Sequence, residues 1–172
     1  MSGTALPAFA QLKKHYPTNE SSHVKAELGL TADWLGGNTC VMRMSKAFNY
    51  AAGSRFAIPS GYPGMVTAKG SDKLNYAIRV QEFISYLSHH YHAAAIIKKG
   101  EAIEKSAFLG HTGIISWSVV GFDDATGHFT LWDGLEGLYT GGMNYWSMPT
   151  KKLPLVHGVQ REYVIKSQLW IC

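Results

Sequence analysis

Apolar residues recur at helical spacing in the first half of the chain and as strand-like runs in the second. Val41, Met44, Ala47 and Phe48 fall three and four residues apart, which predicts a helix from Asn38 onward with one buried face. Asn38 or Thr39 caps it, and Cys40 then lies in its first turn. A shorter helix is predicted over Pro7–Tyr16, with Phe9 and Leu12 on one side and Pro17 as its stop. Ile78, Val80, Phe83, Ile84 and Leu87 predict another across "LNYAIRVQEFISYLSHHY". Glu20 to Gly37 is polar, then mixed, and ends in a loop-like Gly-Gly pair, and "GSRFAIPSGYPGM" reads as an irregular loop. After Gly100 the character changes: "GIISWSVV" and "HFTLWDG" are β-rich runs separated by the turn-like "GFDDATG", and "REYVIKSQLWIC" closes the chain as a strand. There is no internal repeat, low-complexity tract or linker. The pattern therefore predicts a single α+β domain over 1–172, with N-terminal helices packed on an antiparallel sheet.

Composition narrows the class. A chain of 172 residues, 46% hydrophobic and 16% charged, buries a sizeable core without staples. No run is long and apolar enough to span a bilayer, and "MSGTALPAFAQLKKHYP" lacks the basic leader and apolar core of a signal peptide. The formal charge of +4 gives mild attraction to anionic partners, but the lysines and arginines are scattered. Without a basic stripe or binding motif, nucleic acid is not expected as a partner.

Only two cysteines are present, Cys40 and Cys172, too few for a disulfide framework. Cys40 at a helix start meets unpaired N–H groups and the positive dipole end, which favour an anion. Cysteine hydrolases use such a position for the nucleophile, with a histidine as base. His128, at the start of "HFTLWDG", is placed as a strand-borne base would be. A packing cysteine and a structural histidine are the plainer readings, and residue types alone leave both open. In "SHHYH", His89, His90 and His92 lack the spaced partners of a zinc site and read as surface histidines at a helix end. Arg43 and Ser45 read as braces for the cysteine helix, and Arg79 as one half of a surface ion pair. Trp34, Tyr62 and Trp132 line a groove or fill the core, and "SGYPG" and "YTGGMN" are candidate flanking loops.

The wording of the motifs goes further. "NTCVMRMSKAFN", with Asn38, Cys40, Arg43, Met44, Ser45 and Asn49, resembles the nucleophile helix of the type VI secretion amidase effectors of family four, bacterial toxins that cut peptidoglycan peptides. "YAIRVQEFISYL", "GIISWSVVGFDDATGHFTLWDG" and the terminal "SQLWI" are similar to that family's later segments, in the same order, over about Gly36 to Ile171. The resemblance implies a papain-like, NlpC-type cysteine peptidase fold that hydrolyses the amide between D-glutamate and meso-diaminopimelate. It implies Cys40 as nucleophile and His128 as general base, no cofactor or metal, and a cognate immunity protein as partner. It also implies export without a signal peptide and action in the periplasm of target bacteria.

One position departs from the family. Its third catalytic member is an aspartate eleven residues after the histidine, commonly flanked by a disulfide-bonded pair; here that position is Tyr139 and neither cysteine exists. A two-residue turn at Asp133-Gly134 would set His128 opposite Tyr139, whose hydroxyl then accepts from the imidazole. Asp133 lies about 16 Å along the same strand, too far to help. A wider loop would bring in Glu136 or Asn144 instead. Two alternatives stand beside the amidase: another papain-like acyl transferase or isopeptidase, and a non-catalytic wall-binding module.

Overall fold

A computed structural model describes residues 4–53, 55–121, 123, 126–140, 145–155 and 161–172, with the backbone alone for 138–140. The fold is α+β, and its contacts divide it into two compact units, Met1–Ala93 with Cys172, and Ala94–Ile171.

In the first unit, α1 (Phe9–His15) forms where Phe9 and Leu12 predict it, with Leu12 fully buried. The stretch read as polar, then mixed, with no element assigned to it, holds a further helix, α2 (Ser21–Leu28). Val24 and Leu28 are spaced to share one buried face, too short a pattern to rise above its polar neighbours. Gly29 closes α2 in the left-handed region (φ 67°), and a Cβ there would lie 2.9 Å from Ser71 Cβ. The cysteine helix is α3 (Cys40–Tyr50).

The segment expected to open the next helix is instead a strand. Thr67–Lys69 (β1) and Asn75–Ala77 (β2) form an antiparallel hairpin, with Ala68 opposite Tyr76. Helix α4 begins only at Val80, runs to Tyr86, and continues as a π-helical turn over Leu87–Tyr91. The reason lies outside the local pattern: the Ala77 N–H donates to Ser45 Oγ of α3, and Asn49 Nδ2 of α3 donates to Asn75 O. Those tertiary bonds hold 75–77 extended. Val24, Leu28, Leu35, Met42, Ala68 and Tyr76 pack together in one core cluster of this unit.

The second unit is a five-stranded antiparallel sheet in the order β3-β7-β4-β5-β6. Its strands are β3 (Ile96–Lys99), β4 (Thr112–Val120), β5 (Gly127–Asp133), β6 (Leu138–Thr140) and β7 (Tyr163–Ile171). The long strands are those read from sequence; β3 is a short edge strand the reading passed over. Central β4 is buried on both faces from Gly113 to Val119, which explains an apolar run interrupted only by the small Ser116 and Ser118. Gly113 is required there, since a Cβ would sit 1.9 Å from the Trp170 carbonyl oxygen. Ile115, Trp117 and Val119 point to one face, where they meet Trp132, Val164 and Leu169.

The turn after β5 corrects an expectation. Trp132 pairs with Tyr139 and Asp133 with Leu138, so the connection is the four residues Gly134–Gly137 rather than two. Asp133 Oδ1 accepts from the N–H groups of Leu135 and Glu136 at 3.3 and 3.4 Å, and Gly137 takes φ 67°. The backbone of Tyr139 therefore stands opposite Trp132, not opposite His128.

Candidate active site

Cys40 is the first residue of α3 and only 3% exposed. Its N–H donates to Asn38 Oδ1 at 2.9 Å, so the side chain of Asn38 occupies the helix start while Thr39 takes the capping position without capping through its own hydroxyl. Thr39 is turned to another purpose. Its Oγ1 lies 3.0 Å from Ser21 Oγ and accepts from Arg43 Nε at 3.0 Å. Arg43 Nη1 donates to Pro17 O at 2.9 Å, tying the first turn of α3 to the end of the α1 region.

The remaining motif residues fasten the helix farther along. Ser45 Oγ donates to Val41 O at 2.8 Å and accepts from Ala77 N–H at 3.0 Å. Asn49 accepts from Ile58 N–H at 2.8 Å and donates to Asn75 O at 2.9 Å. Tyr50, the last residue of α3, donates to Asp72 Oδ2, which also receives the Tyr76 hydroxyl at 2.6 Å. Burial and the bond to Asp72 push the Tyr76 phenol well above its usual range. Burial opposes the charge on Asp72, but bonds from Tyr76, the Leu74 N–H and Tyr50 outweigh it and hold that carboxyl below its usual range. The conspicuous polar residues of "NTCVMRMSKAFN" thus position the helix that carries Cys40, as read for Arg43 and Ser45.

In the second unit, His128 is half-buried near the start of β5 and pairs with Trp117 across the ladder to β4. Its imidazole lies nearly parallel to the Tyr145 ring, with centroids 4.9 Å apart and planes at 16°. Tyr145 in turn stacks on Trp117 at 5.5 Å and 15°. Sequence reading did not single out Tyr145; the only available signal was its place in an aromatic pair, Tyr145-Trp146, after the Gly-rich wording "TGGMN". A 3-10 turn over Tyr145–Ser147 carries it, and Val164 N–H of β7 donates to Pro149 O just beyond.

Other candidates fall away from this chemistry. Glu136 is exposed in the hairpin turn, and Asn144 lies outside the described residues. Trp132 is fully buried and donates from Nε1 to Phe108 O at 2.8 Å, so it is core rather than groove wall. Tyr62 packs edge-on against Tyr86, whereas Trp34 is 64% exposed. Arg79 forms the expected surface ion pair, with Glu82 at 3.0 Å. His89, His90 and His92 are exposed around the end of the π-helical turn, His90 stacked on Tyr86. Among the described residues no group of three His, Cys, Asp or Glu side chains is placed to hold a metal ion, and no helix is long and apolar enough to cross a membrane. Both cysteines are thiols, Cys172 half-buried.

Comparison with known proteins places this geometry. The family model for type VI secretion system amidase effector protein 4 matches residues 37–153, from just before Cys40 to beyond Tyr145. The crystal structure of the type VI effector Tae4 from Enterobacter cloacae is similar at 25% identity and a TM-score of 0.77, over 99% of each chain. The Tae4–Tai4 effector–immunity complex from the same organism matches at 25% identity and a TM-score of 0.76, over 97% of this chain and 99% of that one. Tae4 from Salmonella typhimurium, in complex with the immunity protein Tai4 from Enterobacter cloacae, matches at 24% identity and a TM-score of 0.77, over 96% and 99%. A search of curated protein sequences finds no match. The architecture is thus the papain-like, NlpC-type one that the motif wording implied.

Proposed function

This chain belongs to the family of type VI secretion system amidase effector 4 proteins, antibacterial hydrolases, and we propose that within it the chain is a cysteine amidase with Cys40 as nucleophile and His128 as general base. The substrate is the amide between D-glutamate and meso-diaminopimelate in peptidoglycan stem peptides, and residues 1–172 act as one catalytic domain. The observation that carries the reading is the place of Cys40, the first residue of an eleven-residue helix whose motif residues all serve to hold it. At that position backbone N–H groups and the peptide dipoles favour negative charge.

His128 takes the thiol proton as Sγ bonds to the amide carbonyl carbon. The oxyanion that forms is held by backbone N–H groups at the start of α3, and Asn38 gives up the Cys40 N–H as it does so. The carbon–nitrogen bond then breaks, and His128 passes its proton to the leaving amine. Water, deprotonated by His128, attacks the thioester and releases the acid and the free thiol. Tyr139 holds the family's third catalytic position by sequence; its backbone stands opposite Trp132.

The chain is exported as a type VI secretion effector and acts in the periplasm of target bacteria. A cognate immunity protein is its partner, as Tai4 is for the similar Tae4 structures. The test is digestion of purified peptidoglycan fragments under reducing conditions, with products weighed by mass spectrometry. Fragments ending in a new D-glutamate carboxylate, absent with Cys40→Ala, are expected. An unchanged profile overturns the amidase reading, and cleavage at another amide overturns the assigned bond.

A further inference from the structure

We propose that Tyr145 is the positioning residue for His128, fixing the plane of the imidazole through a three-ring stack, His128 on Tyr145 on Trp117. The inference rests on the proposed role of His128 as base. An imidazole on a strand turns about its outer side-chain torsion in a broad well, so a strand position alone does not aim its nitrogens. Here the ring's setting is specified from two sides of the fold, strand β4 and the turn that carries Tyr145. Trp117 is the cross-strand partner of His128, and Tyr145 lies over the imidazole at 4.9 Å with only 16° between planes. Tyr145 cannot drift, being 4% exposed and backed by Trp117 at 5.5 Å and 15°. Trp117 is braced in turn by Trp146, edge-on at 4.4 Å.

A parallel stack fixes the ring normal without consuming either ring nitrogen. The face of a phenol ring is also electron-rich, so it attracts the imidazolium that exists while His128 holds the thiol proton. The contribution belongs to the ring of Tyr145, not to its hydroxyl.

The test compares Tyr145→Phe, Tyr145→Leu and Trp146→Leu in the full chain. Tyr145→Phe keeps the stack and is expected to retain wild-type kcat and KM. Tyr145→Leu keeps apolar bulk but removes the ring, and kcat is expected to fall by about a hundredfold with KM unchanged, the scale of a misplaced catalytic group. Trp146→Leu removes the outer brace on Trp117 but leaves Tyr145 over the imidazole, so melting temperature falls and kcat falls much less than in Tyr145→Leu. Should Tyr145→Leu not fold, Tyr145→Met takes its place. NMR supplies a readout independent of turnover: ring-current shielding of the His128 carbon-bound protons persists in Tyr145→Phe and is lost in Tyr145→Leu. If wild type cleaves no wall fragment but the shielding behaves so, the amidase reading fails and the stack stands. The inference is overturned by Tyr145→Leu with wild-type kcat, by Tyr145→Phe as impaired as Tyr145→Leu, by Trp146→Leu losing kcat equally, or by shielding indifferent to residue 145.

Discussion

The side-chain oxygen of Asn38 accepts the backbone N–H of Cys40 at 2.9 Å, two residues along the chain. This bond satisfies one of the orphan donors of the α3 terminus and sets where the cysteine begins the helix. Asn38→Ala removes it and is expected to cost about 1 kcal/mol of stability, as loss of a helix cap does. Asn38→Asp keeps the acceptor and is expected to recover most of that in urea titration.

Arg43 joins Thr39 and Pro17 through two different nitrogens of one planar group. A lysine ammonium on a flexible stem does not reproduce that fork. Arg43→Lys should therefore destabilise the protein by about 1–3 kcal/mol, the range for a partly buried, charge-assisted bond. Urea unfolding checks it; an unchanged midpoint would mean the bridge contributes nothing.

The carboxyl of Asp72, held low by the bonds from Tyr76, the Leu74 N–H and Tyr50 against the opposing effect of burial, links stability to acid pH. Because its folded value is depressed, its contribution is complete above the ordinary carboxylate range, about pH 4, and is lost as pH falls below that. The gap in melting temperature between wild type and Asp72→Asn should be widest near neutrality and shrink toward pH 3. Tyr76, pushed up by burial and by Asp72, acts in the opposite direction. Its contribution is present below the ordinary phenol range and declines as pH rises beyond it, a decline that Tyr76→Phe abolishes.

Tyr139 offers a direct check on the register. With its backbone opposite Trp132, Tyr139→Phe is expected to retain amidase activity, whereas His128→Ala abolishes it. Equal loss in the two variants would restore Tyr139 to the catalytic set.

The legible parts of the chain were those in which local pattern and tertiary environment agree. Val41, Met44, Ala47 and Phe48 announce α3 because its buried face has the period of the helix. β4 and β7 are legible through their length and their apolar runs. Residues 75–77 were not, because Asn49 and Ser45, 26 and 32 residues before their partners Asn75 and Ala77, bind their backbone in an extended form. The hairpin after β5 misled because Asp133-Gly134 is a strong two-residue turn signal, yet Asp133 instead caps a longer turn through its side chain. Of the residues proposed for catalysis, Cys40 and His128 stood out by motif. Tyr145 did not, since what distinguishes it is a face-to-face contact with a residue seventeen positions earlier.

The central claim is that Cys40 is an activated nucleophile and His128 the base that activates it. Alkylation by iodoacetamide at about pH 6.5, near the ordinary imidazole range, tests it most directly, with modified peptides mapped by mass spectrometry and Cys172 as the internal reference. The account predicts that Cys40 reacts much faster than Cys172 and that His128→Ala removes the difference while leaving Cys172 unchanged. A Cys40 that reacts no faster than Cys172, or just as fast without His128, would contradict it.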